Sequence, residues 1–198
     1  MGSMRLCRGD LFKVPADESV AIAHGCNILG VMGGGIALDI KRVFPSMYDE
    51  YHELCKNKKL GPGDIFYSPQ RLDGRPVSVY NLMTQSGLNG ADMQFIRTAF
   101  ERMFEDANSK GIKTIYIPMI GAGLGGISPS VCFNIYLETV EMFNGRLNVI
   151  VQFMENVRPH EILDDSHDPR NMYKRAMEAA KKEAQQKAAE QILGQEAK

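Results

Sequence analysis

Residues 20–45 read VAIAHGCNILGVMGGGIALDIKRVFP, and the order of features in this stretch decides the fold class. The apolar run from Val20 to His24 has the length and composition of a strand. It leads into Gly25, Gly30 and the triplet Gly33, Gly34, Gly35. Ile36, Ala37, Ile40, Val43 and Phe44 then recur at helical spacing until Pro45 interrupts the pattern, and Ser46 is expected to cap a second helix running to about Asn57. The same order returns at residues 112–129, IKTIYIPMIGAGLGGISP. A dense apolar strand, Ile112 to Met119, meets the loop Gly121 to Gly126, and Ser128-Pro129 opens a helix through about Met142. Two strand, glycine loop, helix units in one chain predict an α/β protein whose loops share the carboxyl edge of the sheet.

The remaining stretches fill out that sheet. Met4 to Cys7 reads as a short strand ahead of Arg8-Gly9-Asp10-Leu11-Phe12. Strands are expected near Asp64 to Ser68 and Val77 to Met83, joined by Leu72-Asp73-Gly74-Arg75-Pro76, whose Asp-Gly pair suits an antiparallel hairpin. A polar stretch, Thr84 to Ala91, precedes a helix with Phe95, Ile96, Ala99, Phe100, Met103 and Phe104 on one stripe, ended by Lys110-Gly111. Leu147 to Met154 supplies a last strand. Met1-Gly2-Ser3 reads as a cloning remnant, residues 4–157 as one domain, and residues 158–198 as a linker and an alanine- and charge-rich helix. That helix is expected to be solvated, or else to contact a protein partner through residues such as Met172, Tyr173 and Ala176.

Composition limits the partners. The chain has 198 residues, 44% apolar and 24% charged, which supports one full core. With 23 Lys plus Arg against 24 Asp plus Glu, it has no overall attraction for nucleic acid or an anionic membrane. No run approaches the about 18 apolar residues of a membrane span, and no signal peptide is visible. Cys7, Cys26, Cys55 and Cys132 are too scattered for a zinc site or a disulfide framework, so reduced thiols and a cytoplasmic setting are expected. Asp10 and Asp39 stand isolated, and neither a metal nor a cofactor is predicted.

The chemistry of the two loops follows from glycine. Without side chains, the backbone approaches a phosphate closely, and free N–H groups at a helix N-terminus favour negative charge. Either loop alone serves equally well as a tight turn; together they suit a diphosphate. No GxxxxGK[ST] is present, and the GxGxxG match at Gly121, Gly123 and Gly126 lacks the acidic residue of a dinucleotide fold.

These residues resemble the macrodomain family, which binds ADP-ribose. The resemblance rests on Arg8 to Phe12, on His24-Gly25-Cys26-Asn27 through Gly33-Gly34-Gly35-Ile36-Ala37, and on Pro118 to Gly125. It is strongest with the branch that contains terminal ADP-ribose protein glycohydrolase, DNA-ADP-ribose antitoxin macrodomains and ADP-ribose 1''-phosphate phosphatase. It implies a three-layer α/β/α sandwich with a mixed central sheet. It also implies that Asp10 and the backbone of Leu11 meet the adenine, and that Gly30, Val31, Met32, Gly33, Gly34, Gly35 and Ile36 cradle the diphosphate. Ile120, Gly121, Ala122, Gly123, Leu124 and Gly125 would complete that cradle with Thr84 and Gln85. Phe153 would pack on the base, or else belong to the core.

For catalysis, the resemblance places His24 at the distal ribose and Asn27 on its hydroxyls. The lysine and aspartate of well-known hydrolases of the branch are replaced by Gln85 and Gly125, neither of which can act as nucleophile or acid. Cys26 lacks a following arginine, Met32 standing in its place, and reads as packing. His52, His160 and His167 receive no role. Two functions follow as expectations: a hydrolase for a terminal ADP-ribose derivative, either ADP-ribose 1''-phosphate or an ADP-ribosyl conjugate, or a non-catalytic reader of ADP-ribose. A nucleic acid would enter only as the carrier of such a conjugate.

Overall fold

The computed structural model describes residues 3–143 and 147–153. Its elements are β1 (Met4–Arg8), β2 (Val20–Asn27), α1 (Gly35–Val43), α2 (Pro45–Lys56), β3 (Ile65–Leu72), β4 (Arg75–Gln85), α3 (Met93–Ser109), β5 (Thr114–Ile117), α4 (Pro129–Met142) and β6 (Asn148–Phe153). The six strands form one sheet in the order β1-β6-β5-β2-β4-β3. Neighbours run parallel throughout except for the β3–β4 hairpin. Asp73 and Gly74, both at positive φ (50° and 77°), make its two-residue turn, the geometry that Asp-Gly favours because it matches strand twist. Ser3 extends the edge, its carbonyl accepting from the Val149 amide at 2.9 Å.

Parallel strands need cover on both faces, and β2 is buried along nearly its whole length. Its side chains alternate between two cores. Ala21 and Ala23 join Tyr80, Ile115, Ile117, Val149 and Val151 beneath α3 and α4. Val20, Ile22 and Cys26 join Val79, Met83, Ile40, Met47 and Tyr51 beneath α1 and α2. The result is the expected three-layer sandwich. Phe100 of α3 lies flat on Tyr136 of α4, ring centroids 4.7 Å apart and 5° from parallel, tying the two helices of one layer together.

Two local expectations are corrected. Ser46 does not cap α2: Pro45 occupies the first turn and Phe44 precedes it, because proline's fixed φ and missing N–H suit a helix start. The strand expected from Ile112 to Met119 pairs only over Thr114–Ile117, since Pro118 has no N–H to continue a ladder. The cap of α3 is Asp92, whose carboxylate accepts from the Gln94 and Phe95 amides. The helix expected within residues 158–198, and its possible partner contact, lie outside the described residues.

Candidate functional site

Because five strands run parallel, the loops after β1, β2, β4 and β5 leave the sheet at one edge. The first glycine loop is built by Asn27. Its Oδ1 accepts from the Leu29 and Val31 amides at 3.0 and 3.2 Å, and its Nδ2 donates to the Val31 carbonyl at 2.7 Å. Tyr51 of α2 donates to the Asn27 carbonyl at 2.5 Å, and His52 donates from Nδ1 to the Gly30 carbonyl across 3.0 Å. Met32 is sunk into the core. The Asn27 side chain thus fixes the loop from within.

The loop ends at Gly34, which has no side chain to cap α1. The first-turn amides of a helix have no partner within it, so those of Gly35, Ile36 and Ala37 are available, and the first turn carries no acidic residue. That combination leaves the positive end of the helix dipole open to an anion.

The second glycine loop packs against the first. Internal hydrogen bonds run from the amides of Ala122, Gly125, Gly126 and Ile127; those of Gly121, Gly123 and Leu124 take no part in this turn. Gly121 sits at φ 94°, and a Cβ there would lie 2.5 Å from Ile96 Cδ1 and 3.0 Å from Cys132 Sγ, so another residue would be strained in its backbone and would push the Ile96 side chain aside. Tyr136 donates to the Ile120 carbonyl from beneath. Leu124 reaches across to the first loop: a Cβ on Gly34 would stand 3.1 Å from its Cδ1, and one on Gly35 3.3 Å. Gly33, Gly34 and Gly35 thus keep clear the narrow space between the loops.

The segment after β4 links both. Ile28 donates to the Gln85 carbonyl at 3.1 Å, Ala91 to the Gly125 carbonyl at 2.8 Å, and Asp92 to the Thr84 carbonyl at 3.0 Å. Thr84 is buried, with its hydroxyl 3.4 Å from the Cys26 carbonyl, so it supports the floor; Gln85 is half-buried beside it.

At the other end of this edge lies a cleft of about 670 Å³, lined by Asp10, Phe12, Ile36, Pro118, Gln152 and Phe153 among others, well within the size range of small-molecule sites. The Gly9 amide donates to the Phe153 carbonyl at 3.1 Å. Asp10 accepts from the Phe12 amide at 2.9 Å and faces Lys13 at 3.6 Å, and Leu11 is buried beneath. Phe153 borders the cleft. A second depression, over Glu50, Glu53 and Leu54, lies on the outer side of α2 away from the loops.

The two expected catalytic side chains, His24 and Asn27, both lie buried. His24 is 0% exposed. Alternation along β2 turns it, with Ile22 and Cys26, into the layer under α1 and α2. Its Nε2 lies 2.8 Å from Asn81 Oδ1, while the Asn81 amide nitrogen donates to the Phe66 carbonyl at 3.1 Å. Asn81 therefore offers an acceptor, and the imidazole is the neutral Nε2–H tautomer. Burial holds its pKa down to about 4, the bond to Asn81 only partly opposing this. A histidine so placed is shielded from solvent and uncharged at neutral pH. Asn27, at 6% exposure, spends both ends of its carboxamide on its own loop. Cys26 packs near His24 with its thiol pushed up by burial, as its packing role requires. No group of three metal-ligating side chains occurs among the described residues, and no helix among them is long and apolar enough to cross a membrane.

Sequence reading missed Tyr51, His52 and Gln152. The signal for Gln152 is its polarity within the apolar strand Asn148–Phe153; the other two gave none, since their partner is loop backbone.

A sequence model of the family described as Macro domain matches residues 23–136. The chain is 28% identical over 169 residues to a DNA ADP-ribosyl glycohydrolase of Thermus aquaticus, covering 84% of this chain and 46% of that protein. It is 31% identical over 134 residues to an ADP-ribose 1''-phosphate phosphatase of Candida albicans, covering 61% of this chain and 83% of that protein. The chain thus spans less than half the length of the Thermus relative. The solved macrodomain of Thermus aquaticus DarG superposes with a TM-score of 0.67 at 26% identity, covering 77% of this chain and 99% of that one.

Proposed function

The chain belongs to the macro domain family, and from that premise we propose that it binds ADP-ribose and hydrolyses a terminal ADP-ribose derivative. The observation that carries the binding is the approach of Leu124 to Gly34 and Gly35, which brings two glycine-rich loops together over the open N-terminus of α1. Backbone amides of Gly33 to Ile36 and of Gly121 to Leu124 would hold the diphosphate and distal ribose, while Asp10 and Phe153 would take the adenine. The binding unit is residues 4–157, and its setting is the cytoplasm.

The names of the relatives, a DNA ADP-ribosyl glycohydrolase and an ADP-ribose 1''-phosphate phosphatase, support hydrolysis of an ADP-ribosyl bond or a 1''-phosphate. With His24 in the core and Asn27 holding its loop, this chain's contribution to such a step is positioning. The loops hold the distal ribose in one orientation and exclude water except at the bond to be cut, an effect of proximity rather than of acid and base groups. Nucleic acid enters as the carrier of the modification, since no lysine or arginine stands in residues 27–40, 84–93 or 118–128 to grip a polyanion.

One observation favours a reader that binds without turnover: Gln85 and Gly125 stand where a nucleophile and an acid are expected, and no buried histidine replaces them. A phosphorus NMR time course with ADP-ribose 1''-phosphate tests both. Inorganic phosphate released by substoichiometric protein establishes hydrolysis; shifted diphosphate signals with no release establish a reader for that ligand.

A further inference from the structure

Gln152 Oε1 is shielded from solvent and accepts no hydrogen bond, the one buried side-chain polar atom in that condition among the described residues. A buried acceptor without a donor costs free energy, and fold stability gives no reason for it here. Val149 and Val151 point into the α3–α4 core, so alternation turns Gln152 to the opposite face, where it lines the same cleft as Asp10, Phe12, Ile36 and Phe153.

Gly9 makes room for it. A Cβ on Gly9 would stand 2.7 Å from Gln152 Nε2, so the carboxamide lies against a bare α-carbon. Gly9 is fixed in turn to β6 by its amide bond to the Phe153 carbonyl. Asp10, which lines the cleft together with Lys13 and the Asp39–Arg42 ion pair, already accepts from the Phe12 amide and faces Lys13. Phe12, Ile36 and Phe153 give the cleft apolar wall, and beside it stand a partly committed carboxylate and an idle acceptor, which suits a flat heterocycle that carries an amino group.

We propose that Gln152 is a specificity-determining residue of this cleft, its Oε1 accepting one N–H of the exocyclic amine of the bound base while Asp10 takes the other. The inference rests on the reading that the cleft holds the adenosine end of ADP-ribose. An amine has two hydrogens to give and two acceptors await it. A base without the amine leaves Gln152 Oε1 buried and without a donor, and so binds more weakly.

Calorimetric titration of the full chain with ADP-ribose and with its analogue in which unsubstituted purine replaces adenine tests this. Wild-type protein should bind the analogue about tenfold more weakly, and Gln152→Met should bind ADP-ribose about fivefold to tenfold more weakly with discrimination reduced by a similar factor. Gly9→Ala, which presses on Nε2 from the cleft wall, should lower discrimination in the same direction. Unchanged discrimination in Gln152→Met overturns the role of Gln152 alone, even if Asp10→Asn abolishes it. Wild-type protein that binds neither ligand overturns the reading of the cleft and the role of Gln152 with it.

Discussion

Lowering the pH should destabilise this fold in a way that traces to one residue, His24. In the folded chain its imidazole is neutral with a pKa near 4, whereas an unperturbed histidine lies at 6.5. Between those values the unfolded chain binds a proton that the folded chain does not. Stability is therefore fully present above about pH 6.5, falls as pH drops through that window, and loses nothing more from this residue below about 4. The gap of roughly 2.5 units, at about 1.36 kcal/mol each, amounts to about 3 kcal/mol, a large share of the roughly 5–15 kcal/mol that holds a domain folded. The comparison is with His24→Gln, whose amide can still donate to Asn81 but does not titrate. Urea unfolding of both proteins between pH 7.5 and 4 isolates the residue, because carboxylates titrate alike in each. The wild-type midpoint should fall with acid more steeply than that of the variant, the two curves converging towards pH 4. Parallel curves would refute a buried neutral His24 and return it to the candidates for catalysis.

The other predictions concern the loops and the cores. Gly35→Ala places a side chain at φ 56° and 3.3 Å from Leu124, so ADP-ribose affinity should drop more than about tenfold while stability falls by about 1 kcal/mol, read by calorimetry and denaturant titration. Gly121→Ala should act mainly on the fold: its Cβ would meet Ile96 at 2.5 Å with φ 94°, costing about 2–4 kcal/mol from strain and overpacking together in urea unfolding. Phe153→Ala should weaken ADP-ribose about tenfold yet leave ribose 5-phosphate unaffected in the same titration. Phe100→Ala, which removes the ring stacked on Tyr136, should cost about 3–5 kcal/mol in urea unfolding, a loss that tests the α3–α4 core and not the site.

Most of the architecture was legible because its signals are local. Glycine loops between an apolar run and a helical stripe placed the parallel strands, and Asp73-Gly74 placed the hairpin. The orientation of His24 was not legible. On a central strand buried on both faces, Ile22, Ala23 and His24 look alike in sequence. Only the partner Asn81, 57 residues away, and the helices above it decide which layer the imidazole enters. The loop-building role of Asn27 was not legible for a related reason: a carboxamide beside a glycine loop suits a ribose or the loop backbone equally well, and here it bonds Leu29 and Val31. The chemistry that needs no side chain, the two backbone cradles, was read most directly, since the absence of Cβ atoms is itself written in the sequence.

The binding claim rests on the two loops acting as one cradle, and a calorimetric titration of the full chain with ADP-ribose tests it most directly. One-to-one, saturable binding is expected, with AMP, which lacks the second phosphate and distal ribose, binding at least about tenfold more weakly. Absence of heat and of competition by ADP-ribose at millimolar concentration, or equal affinity for AMP, would contradict a diphosphate held between Gly34 and Leu124.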